Sequence, residues 1–106
     1  MNNKTTSKIG ALNYFIENGH RKASLCCDLP KKIKIYIMLL DDLGRMIKEA
    51  FFTQPQGFSI IQMDLSQLKA GSYNFWIILD GQTFIRELQI PEQKREGWLE
   101  RLKLFV

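Results

Sequence analysis

"LKAGSYNFWIILDGQTFIREL", Leu68 to Leu88, is the stretch on which the fold turns. Tyr73, Phe75, Ile77 and Leu79 alternate with Asn74, Trp76 and Ile78, the period-two pattern of a β-strand. Asp80-Gly81 suits the two-residue turn of a hairpin, and a mixed run returns from Gln82. The tyrosine-led set reads as inward-facing. The other set is unusual, because Trp76 and Ile78 are large and apolar on a face where an antiparallel sheet normally meets water. The sequence itself therefore asks what covers Trp76.

Upstream the same pattern recurs. In "KIKIYIMLL", Ile33, Ile35, Ile37 and Leu39 share one face, and Lys32, Lys34, Tyr36, Met38 and Leu40 share the other. Asp41-Asp42-Leu43-Gly44 reads as a turn. "RMIKEAFF" returns antiparallel, "QPQG" breaks the chain, and "FSIIQMDL" forms the next strand. "SQLKAG" is a corner that points Leu65 and Leu68 back into the core. Before these, Ala23, Leu25 and Cys27 alternate with Ser24, Cys26 and Asp28, and Pro30 ends the run because proline cannot donate to a ladder.

The first segment is ambiguous. Ile9, Leu12, Phe15 and Ile16 have helical spacing, and Asn18-Gly19 suits either a helix stop or a hairpin turn. Extended structure is preferred, because strand-like sequence follows. After Pro91 the character changes to helix formers, with Trp98, Leu102 and Phe105 on one stripe and Leu99 beside it. Short strands with turn signals every 8–12 residues imply an all-β architecture. The expectation is an antiparallel, immunoglobulin-like β-sandwich over residues 23–90. A partly ordered arm precedes it over 1–22, and an α-helix follows over 91–106.

The bulk numbers fit one domain of 106 residues, 45% hydrophobic and 25% charged. The net charge of +4 comes from scattered basic residues, a pattern of solvated edges rather than of a nucleic-acid footprint. No apolar run is long enough to cross a bilayer, and no signal-peptide pattern opens the sequence. A cytoplasmic protein is the expectation, or a cell-surface or secreted one if the chain is a fragment of a secreted protein. Adjacent Cys26 and Cys27 point to opposite faces of a strand and read as packed free thiols.

Several stretches resemble the C-terminal sorting domain of bacterial type IX secretion substrates, a small immunoglobulin-like sandwich. They are "IKIYIMLLDDLGRMI", "GFSIIQMDLSQLKAGSY" and "NFWIILDGQTFIREL". The most specific piece is D-L-S-x-L-x-x-G-x-Y, carried by Asp64, Leu65, Ser66, Leu68, Gly71 and Tyr73. The resemblance implies a sandwich read by secretion machinery. The hairpin "LKAGSYNFWIILDG" is also similar to that of kinase-associated glycogen-binding modules, which implies sugar stacking on an exposed tryptophan such as Trp76.

Chemistry is sparse. His20 is the one histidine. No nucleophile elbow, zinc-binding helix motif or phosphate loop occurs. Asp41, Asp42 and Asp80 sit at turns, where carboxylates commonly bond their own backbone. No catalytic residue, cofactor or metal ligand is assigned. The expectation is a non-catalytic structural or adaptor subunit that binds protein, itself or a larger assembly. The binding residues are Tyr36, Met38, Trp76 and Ile78 on the sheet and Trp98, Leu102 and Phe105 on the helix.

Overall fold

The computed structural model describes residues 6–92. They form β1 (Lys8–Glu17), β2 (His20–Leu29), β3 (Ile33–Asp41), β4 (Met46–Gln54), β5 (Gly57–Asp64), β6 (Gly71–Leu79) and β7 (Gln82–Ile90). One antiparallel sheet has the order β1-β2-β5, and the other β4-β3-β6-β7. The all-β, two-sheet expectation is met. The helix expected over 91–106, with Trp98, Leu102 and Phe105, lies outside the described residues apart from Pro91 and Glu92.

The inward sets come together as the alternation requires. Leu25, Cys27 and Leu29 of β2, Ile35, Ile37 and Leu39 of β3, and Phe75, Ile77 and Leu79 of β6 are all buried between the sheets. Leu65 and Leu68 close one end of the core. The Tyr73 hydroxyl donates to the Lys69 carbonyl at 2.7 Å, so the ring that enters the core also fixes the corner before it. Arg21 extends from the other sheet and donates to the Leu68 carbonyl at 2.8 Å.

The boundary expected at residue 23 falls inside β2, and β1 is a full strand of the sheet rather than an arm. Asn18-Gly19 makes a two-residue hairpin turn with both φ angles positive, 53° and 78°. The helical spacing of Ile9 and Leu12 has a different cause. Ile9 pairs with Cys27 and Leu12 with Leu25, so β1 advances one residue more than its partner. That bulge returns both side chains to the core side three positions apart.

The two flanks of the sandwich differ. Along one, β1 and β7 touch, and Arg86 of β7 donates to the carbonyls of Gly10 at 2.9 Å and Ile9 at 2.7 Å. Along the other, β4 and β5 border an apolar cleft of about 150 Å³, lined by residues including Ile37, Leu39, Phe52, Met63 and Phe75. Lys48 crosses its mouth to the Asp64 carbonyl at 3.3 Å.

Candidate functional site: the outer face of the four-stranded sheet

The pairing register builds this site row by row. Tyr36 stands between Phe51 of β4 and Ile78 of β6. Met38 stands opposite Trp76, and Trp76 in turn faces Ile85 of β7. Leu40 pairs with Met46 through a register shift in β4. Side chains opposite one another in a sheet lie about 4.5–5.5 Å apart at Cβ, so these rows form one band. The band runs diagonally across all four strands, with Glu49 opposite Met38, Thr83 opposite Ile78 and Asn74 opposite Leu40 as the polar positions in its rows.

Much of the band meets solvent. Phe51 is 61% exposed, Met46 52%, Ile85 50% and Trp76 38%, while Tyr36, Met38, Leu40 and Ile78 are half-buried by their neighbours. Tyr36 and Phe51 stack with ring centroids 4.7 Å apart. The Tyr36 hydroxyl donates to Glu49, and that bond to a carboxylate holds the phenol above its ordinary pKa. The aromatic pair is thereby fixed at one edge of the band.

The opposite outer face is different in kind. On β2 it presents Lys22, Ser24, Cys26 and Asp28, opposite Asp64, Gln62, Ile60 and Phe58 of β5. Its large apolar side chains stand at the two edges: Phe58 and Ile60 of β5 are exposed, and Phe15 of β1, opposite Lys22, is half-buried. Gly10 lies over Cys26, so close that a Cβ there would stand 3.3 Å from that of Cys26.

Of the residues expected to bind, Tyr36, Met38, Trp76 and Ile78 share the band, whereas Trp98, Leu102 and Phe105 lie outside the described residues. Sequence reasoning missed Phe51, Met46 and Ile85. The signal was present in two adjacent apolar pairs, Phe51-Phe52 and Phe84-Ile85. Within an alternating strand, neighbours point to opposite faces, so such a pair makes both faces apolar. Phe52 and Phe84 pack against the core and leave Phe51 and Ile85 outside.

One polar constellation also escaped the sequence. Ser66 Oγ donates to Asp64 Oδ1 at 2.6 Å and lies 3.5 Å from His20 Nδ1. The hydroxyl proton is committed to the carboxylate, not to the imidazole, which is the reverse of what an activated serine needs. Asp64 Oδ1 also accepts from the Ser66 amide at 3.0 Å, and these two Ser66 bonds hold its carboxyl below the usual carboxylate range. The group shapes the corner leading to Leu65.

Asp41 is likewise occupied by its own turn. Its Oδ1 accepts from the amides of Leu43 and Arg45, each at 2.9 Å, and its Oδ2 from Arg45 Nε at 2.8 Å. The Arg45 amide is the largest cause of its lowered pKa. Among the described residues, no group of His, Cys, Asp and Glu is placed to hold a metal. Among them, too, no helix is long and apolar enough to cross a membrane. Compared with known proteins, the sequence matches no family model and no curated protein.

Proposed function

We propose that the protein is a non-catalytic structural or adaptor subunit that binds protein through the outer face of the β4-β3-β6-β7 sheet. The apolar band across all four strands carries this reading. Exposed contiguous patches of several hundred Å² are rare on monomeric proteins and mark interaction surfaces. Each large side chain removed from water contributes roughly 1.5–3 kcal/mol, so covering Phe51, Trp76 and Ile85 supplies the core of an interface. Tyr36, Met38 and Ile78 form its floor; Trp98, Leu102 and Phe105, the other residues expected to bind, lie outside the described residues.

The same reading treats the sandwich as immunoglobulin-like. In the constant-type arrangement the first, second, fifth and fourth strands make one sheet and the third, sixth and seventh the other. Here β4 has moved to the second sheet, and the rest of the order is kept. That move supplies Phe51 and Met46 to the band, so the strand shift and the binding face support one another.

The test is site-specific photo-cross-linking in cells. A photoreactive residue at Phe51 should yield an intermolecular protein adduct, and one at Ser24, on the other outer face, should not. Equal labelling from both positions, or none from Phe51, would remove the proposal.

A further inference from the structure

We propose that the free edge of β5 accepts an extended segment of another protein as a fourth strand of the smaller sheet. The segment is about five to seven residues long, uncharged, and apolar at alternate positions. This surface is separate from the outer face of the larger sheet.

The ladder fixes which groups of β5 point to that edge. The Leu65 amide donates to the Arg21 carbonyl at 2.8 Å, one step beyond the pairing of Lys22 with Asp64. Lys22 and Asp64 are therefore a non-hydrogen-bonded pair, and β5 follows β2 without a register shift. Phe58, Ile60, Gln62 and Asp64 thus turn their backbone N–H and C=O away from β2. Among the described residues, no strand lies on that side. Lys48 reaches over from β4 and takes the Asp64 carbonyl at 3.3 Å. The groups of Phe58, Ile60 and Gln62 remain as a row at ladder spacing.

Charge separates this edge from the others. Edge strands are ordinarily protected by charged side chains, bulges or covers. β4 carries Lys48 and Glu49 beside a register shift, and β7 carries Arg86 and Glu87. β1 has a bulge and is clamped to β7. β5 has no charged residue over 57–63. Its outward Phe58 and Ile60 are 68% and 52% exposed, and side chains of an added strand would stand directly opposite them. An uncharged edge flanked by apolar side chains suits a segment of the same kind.

The larger sheet supplies a second wall. Counted from the clamped flank, β7 stacks on β1, β6 on β2 and β3 on β5, which leaves β4 with no strand opposite. Ala50 and Phe52 of that overhang line the apolar cleft of about 150 Å³ together with Met63. Such a volume holds a benzene-sized group. A strand added to β5 runs beneath β4 and points alternate side chains at the cleft, where one apolar side chain fills it.

The overhang also decides what the occupant is. Two copies joined edge to edge through β5 would be related by a two-fold axis, and each β4 would fall on the other copy's β3. The space beside β5 admits a single strand with no sheet behind it. An extended segment meets that condition, held by its main chain and by alternate side chains.

The probe is a blocked peptide, Thr-Val-Thr-Leu-Thr-Val-Thr, added to the purified full chain. Its threonines bond to β5, and its apolar side chains face the cleft. Hydrogen exchange of the Ile60 and Gln62 amides should slow about tenfold or more at saturation. N-methylation of the two inner threonines should abolish the effect, and N-methylation of the valines should not, because only the threonine amides face β5. Gln62→Pro should also abolish binding while a cooperative melting transition is retained, since the lost N–H lies outside the β2 ladder. Failure of the peptide to slow these amides, or equal effects of the two N-methylated peptides, would overturn the proposal. So would slow exchange of the same amides in the protein alone. A monomer mass would then place the chain's own residues on the edge, and a doubled mass would place a second copy there. The Phe51 adduct in cells reports on the other sheet and is independent of these outcomes.

Discussion

Arg86 on β7 grips the carbonyl of Gly10 in the bulge of β1, at 2.9 Å, and so ties the edge of one sheet to the edge of the other. Its second branch holds the Ile9 carbonyl at 2.7 Å. Gly10 lies within the register shift of β1 and Ile9 borders it, and one planar guanidinium donates to both carbonyls. Hydrogen bonds to charged groups contribute about 1.5–3 kcal/mol each when well formed. Arg86→Met should therefore lower stability by roughly 2 kcal/mol, allowing for partial exposure. Arg86→Lys should restore little, because an ammonium cannot reproduce the fork. Chemical denaturation measures the loss, and hydrogen exchange should show it first in the amides of β1.

Gly71 opens β6 with φ near 147°, and a Cβ placed there would meet nothing within 4 Å. Space is therefore not the constraint; backbone conformation is. A β-branched side chain resists this region, so Gly71→Val should cost roughly 1–3 kcal/mol. The melting temperature is the readout, and an unchanged value would show that the corner relaxes freely.

Cys27 is 1% exposed in the core, and burial pushes its thiol up to about 11, with the neighbouring Cys26 adding to the shift. A thiol raised in the fold keeps its proton where the unfolded chain has lost it. Its contribution to stability is complete below the unfolded value of about 8.5 and disappears as pH rises toward the folded one. Stability should fall across that interval, and Cys27→Ala should flatten the fall relative to the parent. At neutral pH a thiol reagent should modify Cys26 in the native protein and reach Cys27 only on unfolding.

Asp41 and Asp64 both have lowered pKa values, from the Arg45 amide and from Ser66 respectively. For depressed carboxylates the stabilisation is present above the unfolded pKa, about 3.9, and is lost as pH falls below it. Acid titration should loosen the turn at Gly44 and the corner at Leu65 before the core, visible as early exchange of the Arg45 and Ser66 amides. Because the Asp41 carboxylate is already filled by its own turn, calcium titration should show no micromolar site.

The elements that carried most of their own information were read correctly from sequence. β3 and β6 alternate so regularly that their inward sets, and the outward Met38 and Trp76, follow from period two alone. β1 was harder, because its bulge gives a three-residue spacing that mimics a helix, and only the pairing with β2 reveals the extra residue. The band was half legible. Tyr36, Met38, Trp76 and Ile78 lie on strands with clean alternation. Phe51 and Ile85 sit in adjacent apolar pairs, whose outward member cannot be chosen until the register is known. The Arg86 clamp was invisible, since it joins residues 76 and 77 positions apart in sequence.

In mechanical terms, the contact between β1 and β7 is the shortest path for tension between the two ends of the described sandwich. These are its first and last strands, they belong to different sheets, and Arg86 fastens one to the other. A pull applied through both ends loads that clamp before it loads the ladders of either sheet. The resistance of such a tether is set by the rate of unfolding rather than by equilibrium stability. Within a larger assembly, the strength of this domain as a link would depend on one arginine and two carbonyls at its flank.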